Sequence, residues 1–212
     1  MTVFLFMLII LLNACGSETT EEQIHQYLEE AVELEEDFLA YEEEIASLEQ
    51  EEQDIYETIT DLDDFSRIKE LSKEALDIIQ ERSDKLNQER DSIEASEEAF
   101  QKSKPLIADL DEKNVRKKAI EMYDVMNERY EAYAHLYELY KDSLSLEEEL
   151  YTFLQEKDAE PKDVTNKIAD INEYYEEIHD ATEAFSTYTT RYNELKKEFY
   201  DIADLDVTFN EG

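Results

Sequence analysis

Side chains capable of chemistry are abundant in this 212-residue chain, but few are spaced for it. Aspartate and glutamate number 58, with three histidines, one cysteine, 14 tyrosines and no tryptophan. His25, His135 and His179 stand far apart, so a transition-metal site would have to be assembled across helices, and none is expected. A calcium loop needs carboxylates at alternate positions followed by a glycine. Asp61-Leu62-Asp63-Asp64 and Asp109-Leu110-Asp111 begin that way and then lack the glycine. General acid–base work needs two carboxylates in unlike environments, whereas Glu42-Glu43-Glu44 and Glu147-Glu148-Glu149 fall at helix positions expected to face water. There is no glycine-rich phosphate loop and no nucleophile motif. The reading is therefore a non-enzymatic protein with no cofactor and no metal. A pocket lined by two carboxylates in the folded chain would reopen the question of a hydrolase.

Tyrosine offers more. Tyr123, Tyr130, Tyr133, Tyr137 and Tyr140 lie on or near one helical face, and Tyr174, Tyr175, Tyr188 and Tyr192 decorate the last segment. Such rings can stack on a sugar or a partner surface, which makes Tyr130, Tyr133, Tyr137 and Tyr140 a candidate contact face. The alternative is that they fill a helical seam and turn their hydroxyls to water.

The single thiol has a specific context. Val3 to Leu12 is an unbroken apolar run of ten residues, too short for a membrane-spanning helix of about twenty and suited to a signal-peptide core of roughly seven to fifteen. Leu12, Asn13, Ala14 and Cys15 follow, then Gly16 and Ser17. This resembles a bacterial lipobox, with an aliphatic residue three before the cysteine and a small residue just before it. The resemblance implies a diacylglyceryl group on Cys15 and cleavage that leaves Cys15 as the new N-terminus. Two acyl chains hold a protein on a bilayer stably. Asn13 departs from the preferred residue at its position, and the first lysine or arginine is Arg67. A disulfide within one chain is impossible with one cysteine.

Charge excludes one class of partner. A formal net charge of −38 repels a phosphate backbone, so no nucleic acid is expected to bind. From Glu18 to Asp64 there are twenty aspartates and glutamates and no lysine or arginine. Lys102, Lys104, Lys113, Arg116, Lys117 and Lys118 instead gather around one junction. An up-down chain path would return that junction to the bilayer, where the cluster would meet anionic headgroups. Pairing with the acidic first helix is the competing reading.

The elements that must position these groups are long helices. Two glycines and two prolines are too few for strands joined by tight turns. Ile24, Tyr27, Ala31, Leu34, Phe38, Tyr41, Ile45, Leu48, Ile55, Ile59 and Leu62 alternate steps of three and four, interrupted only by Glu52. That spacing predicts one continuous helix with an apolar seam. A second segment, from about Phe65 to Lys104, repeats Ile79, Leu86, Ile93, Phe100 and Ile107 every seven residues, with Arg82, Glu89 and Ser96 between them. Pro105 should end or kink it. A third runs from about Asp111 to Lys157, and a fourth from about Val164 to Ile202 beyond Glu160-Pro161-Lys162. At 1.5 Å per residue, four helices of about forty residues reach roughly 60 Å each. The fold class is all-α, an elongated antiparallel up-and-down bundle with coiled-coil-like packing. A two-stranded hairpin ranks second because it would leave much tyrosine-rich surface in water. The expected organisation is a signal peptide over 1–14, the lipidated cysteine and a tether over 15–20, the bundle over 21–206 and a loose tail over 207–212.

A lipobox followed by acidic, tyrosine-bearing helical heptads resembles the YkyA-type cell-wall-binding lipoproteins of Bacillus-like Gram-positive bacteria. The resemblance spans essentially the whole chain and carries over no functional residue except Cys15. It implies a lipid-anchored protein on the extracellular face of the cell membrane, associated with the wall. The first functional reading is a spacer or interaction surface that contacts peptidoglycan or an envelope protein. The alternative is a surface receptor or regulatory lipoprotein that binds another membrane protein or a phage component.

Overall fold

In a computed structural model the described residues, 18–205 and 207, form six helices and no strand. They are α1 (Thr20–Leu34), α2 (Phe38–Thr60), α3 (Phe65–Gln101), α4 (Lys104–Asp109), α5 (Lys113–Phe153) and α6 (Pro161–Ile202). Together they make four antiparallel rods: α1 with α2, α3, α4 with α5, and α6. The all-α up-and-down bundle read from the periodicity is the observed architecture.

The first rod is not the single helix that its seam predicts. It breaks at Glu35, Glu36 and Asp37, inside an acidic run with no lysine or arginine beside it. Glu35 is instead held by Arg129 of α5, whose Nη1 and Nη2 donate to its Oε1 and Oε2 at 2.9 and 2.6 Å. The second junction also differs from expectation. α3 stops at Gln101, and Pro105 lies in the first turn of α4 rather than terminating α3. A missing N–H costs nothing in a first turn, and Pro161 does the same for α6.

Caps are local and readable. Thr19 and Glu22 form a reciprocal capping box on α1, with Thr19 N donating to Glu22 Oε2 at 2.7 Å and Glu22 N to Thr19 Oγ1 at 3.2 Å. Asp64 Oδ1 accepts from Ser66 N at 2.9 Å and starts α3 after a three-residue turn. Thr19→Ala is expected to cost about 1 kcal/mol of α1 stability. Amide hydrogen exchange would show this as faster exchange in the first turns of α1, with α3 and α5 unchanged.

The core follows the heptads. Ile24, Leu28 and Ala31 of α1 are buried, as are Ile79, Leu86, Ile93 and Phe100 of α3, Met122 and Met126 of α5, and Phe185, Tyr192, Leu195 and Phe199 of α6. One end of the bundle unites the start of α1, α4 and the end of α6. There His25 stacks edge-on against Tyr200 at 4.9 Å, and Tyr200 Oη donates to Glu29 at 2.9 Å. The opposite end holds the α2–α3 and α5–α6 turns. α6 packs along α5, but neither α1 nor α2 shares an interface of comparable extent with α6. A seam therefore runs between the first and last rods, floored by α5. Along the first half of α6 it leaves Val164, Ile168 and Ile178 half-buried and Tyr175 exposed, although all four sit in the apolar pattern.

Candidate functional site

α3 carries a polar residue at three successive seventh positions of its core face, Arg82, Glu89 and Ser96, and Ser103 continues the series just past its end, all buried. Facing it, α5 presents the tyrosines. Ser96 Oγ and Tyr130 Oη lie 2.9 Å apart, Tyr137 Oη donates to Asn87 at 2.9 Å, and Arg82 Nη2 donates to Tyr140 Oη at 2.8 Å. Glu89 faces the Tyr133 hydroxyl, and burial raises its pKa to about 7 despite that hydrogen-bond donor. Tyr130, Tyr133, Tyr137 and Tyr140 are thus buried in the α3–α5 interface, which removes them as an outer contact face. Of the two uses open to these rings, packing in the seam prevails, and their hydroxyls turn to α3 rather than to water.

The most concentrated chemistry surrounds Arg82, which has no exposed surface. Its Nη1 donates to Glu52 of α2 and, at 2.6 Å, to Glu147 of α5. Its Nη2 donates to Glu49 of α2 at 3.2 Å as well as to Tyr140. Tyr175 of α6 donates to the other oxygen of Glu147 at 2.8 Å, Tyr140 to Glu49, and Tyr151 hydrogen-bonds Glu52. One guanidinium thereby joins three helices, and Tyr175 adds the fourth. Burial raises the Glu52 pKa to about 7, assisted by the negative charge of Glu147 and opposed by Arg82. Burial works against the charge of Arg82, but Tyr140, Glu147 and Glu52 outweigh it and hold the guanidinium protonated.

Two residues of this cluster were placed differently by sequence. The triplet Glu147-Glu148-Glu149 reads as a water-facing run, yet only 2% of Glu147 is exposed. Glu52, the interruption of the first seam, is a core residue rather than a gap. The available signal was Arg82 itself. A guanidinium at a heptad core position must be buried with carboxylate partners, and Glu52 occupied the matching position on its own seam.

Above the cluster lies a cleft of about 380 Å³. α2 lines it with Glu49, Glu52, Gln53 and Tyr56, α5 with Glu147, Leu150 and Tyr151, and α6 with Ile168, Ile171, Asn172 and Tyr175. Such a pocket is the condition that reopens the question of acid–base catalysis. Most of its carboxylate oxygens are engaged within the protein. Both oxygens of Glu147 accept from the protein's own donors, and Glu52 is engaged by Arg82 and Tyr151. Glu49 is the carboxylate of the three with an oxygen outside these bonds, since Arg82 and Tyr140 both donate to its Oε1.

The remaining candidates fall elsewhere. Lys102 pairs with Glu30 at 2.8 Å, Lys118 with Glu198 at 2.6 Å, and Arg116 donates to the Leu110 carbonyl. Lys104 sits over the Tyr123 ring, while Lys113 and Lys117 are exposed. Only Lys102 of the six pairs with the acidic first rod. The cluster lies at the α1–α4–α6 end, as an up-down path requires. Among the described residues no three histidine, cysteine, aspartate or glutamate side chains converge as a metal site, and no helix is long and apolar enough to cross a membrane. Leu12, Asn13, Ala14 and Cys15 lie outside the described residues, as does all of the expected tail except Val207.

Residues 19–202 match the family described as YkyA, "putative cell-wall binding lipoprotein". The sequence is 31% identical over 196 residues to the uncharacterized lipoprotein YkyA of Bacillus subtilis, covering 92% of this chain and 88% of that protein. The fold is shared with the crystal structure of a conserved protein of unknown function from Staphylococcus aureus. That similarity has a TM-score of 0.65 at 19% identity and covers 89% of this chain and 97% of the other.

Proposed function

We propose, from the premise that the chain belongs to the YkyA family of lipoproteins, that it is a non-enzymatic surface lipoprotein. Cys15 anchors it to the outer face of the cell membrane, and the bundle contacts the cell wall. The carrying observation is the geometry of the bundle's two ends. α1 begins at Thr20, five residues after Cys15, beside α4 and the end of α6. The cleft lies toward the other end, about 33 residues along the first rod, which is roughly 50 Å at the helical rise. A protein fixed at Cys15 would hold this cleft outward from the bilayer. Direct adhesion to anionic wall polymers is disfavoured by the net charge of −38, so peptidoglycan is the wall component that fits.

Two measurements test this reading. Mass spectrometry of the mature N-terminus should find a diacylated Cys15 in the membrane fraction. Purified peptidoglycan sacculi should retain the full chain saturably in 150 mM salt. Absence of retention would move the weight to a membrane-protein partner.

A further inference from the structure

We propose that the cleft between α2, α5 and α6 is a binding site for a primary ammonium group on a short aliphatic stem. Resting on the wall-binding reading, its wall-borne form is the side-chain amine of a peptide stem's diamino acid. Four features of the cleft point to this chemistry. First, the charges do not balance: Glu49, Glu52 and Glu147 surround one guanidinium. Burial, with the negative charge of Glu147 beside it, raises the Glu52 pKa to about 7 despite Arg82. Second, Glu49 is reachable. Its side chain is 37% exposed, and its hydrogen bonds to Arg82 and Tyr140 both use Oε1. Third, the mouth is aromatic. Tyr175 points its hydroxyl inward to Glu147 while 38% of the residue remains exposed, and Tyr56 is half-buried across the cleft. Tyrosine rings lining a cleft attract a cation to their faces. Fourth, Leu150, Ile168 and Ile171 give the walls an apolar lining suited to methylene groups.

Alternatives fit less well. A bare divalent cation would need several converging carboxylates, but Arg82 occupies the centre of this set and no such group converges among the described residues. The volume of about 380 Å³ suits a side chain or an amino acid rather than a whole glycan strand. The seam also explains why the cleft stays open. α2 and α6 do not close on one another there, and Val32, Leu34 and Leu39 continue its exposed apolar rim past the break in the first rod.

The test uses Nα-acetyl-lysine methylamide against isotope-labelled full chain, in 150 mM salt so that exposed charges are largely screened. Saturable NMR shifts confined to residues 49–56, 147–151 and 168–175 are expected. The Nε-acetylated probe should give none, and Glu49→Gln and Tyr175→Ala should each weaken binding about tenfold. A soluble muropeptide with a free side-chain amine distinguishes the source of the ligand. Binding tighter than that of the lysine probe assigns the site to the wall, and equal binding assigns it to amines generally. Unsaturable shifts spread over the acidic surface, or equal binding of the acetylated probe, would overturn the proposal. If sacculi retain Glu49→Gln and Tyr175→Ala as well as the wild type, the cleft is not the wall contact, although wall binding itself stands. If the wild type is not retained either, the wall reading fails while the ammonium site is still decided by NMR.

Discussion

Replacing Arg82 with methionine is expected to lower the thermal unfolding midpoint by about 10 °C at pH 7.5, the largest loss from any single substitution outside the apolar core. Removing one partner of a buried ion cluster costs about 3–5 kcal/mol, because the opposite charges remain buried without compensation. In a chain of this size each kcal/mol moves the midpoint by about 2–4 °C. Glu147 is 2% exposed and Glu52 is 8% exposed, so neither can recover water without opening the α2–α3–α5 junction. The mechanism makes two further demands. The loss should shrink at pH 5, where the stranded Glu52, already raised to about 7, can take up a proton. It should also shrink when Glu52→Gln and Glu147→Gln are added, since amides remove the unpaired charge. Calorimetry on the three variants decides the matter. A midpoint change below about 3 °C for Arg82→Met would show that the guanidinium is dispensable.

The same cluster marks where reading by periodicity stops. Heptad spacing finds which positions face inward, because burial of apolar side chains is a local pattern along each helix. It therefore delivered the rods and most of the core, while the short connections implied antiparallel neighbours. It assigned polar residues to water by default, and Glu147 shows the error. Position 147 is a core position whatever stands there, but its partner Arg82 is 65 residues away, and only the packed bundle brings them together. Glu35 was lost for the same reason, since its partner Arg129 lies 94 residues away. The break in the first rod accompanies that pair, so an apolar seam that runs on through Phe38 gives no sign of it. Tyrosine is the intermediate case. Its spacing placed Tyr130, Tyr133, Tyr137 and Tyr140 on one face, and only the polar residues of α3 decided whether that face looks inward.

Stability should fall as pH rises from about 4.5 to 7, opposite to the trend of a protein held together by ionised surface pairs. Glu52 and Glu89 are both raised to about 7 by burial, against an ordinary value of 4.5. A group whose pKa is higher in the folded state binds more protons folded than unfolded, so the slope of unfolding free energy with pH is negative between the two values. The contribution is fully present below about pH 4.5 and is lost as pH passes 7. Each carboxyl accounts for a few kcal/mol, taking about 1.4 kcal/mol per pH unit. The unfolding midpoint should accordingly be about 10 °C higher at pH 5 than at pH 8. At still lower pH the trend reverses at Glu29. Burial raises its pKa, but the ion pair with Lys196 and the bond from Tyr200 outweigh that and hold it below the ordinary value, so its contribution disappears on acidification. Repulsion among surface carboxylates also relaxes at pH 5, and this has to be separated from the buried groups. Salt does so: 0.5 M sodium chloride screens exposed charges over a few ångströms and leaves buried ones nearly untouched. If the pH 5 advantage survives in high salt and is halved by Glu89→Gln, the polar core of α3 carries it. If salt removes it, the cause is the acidic surface.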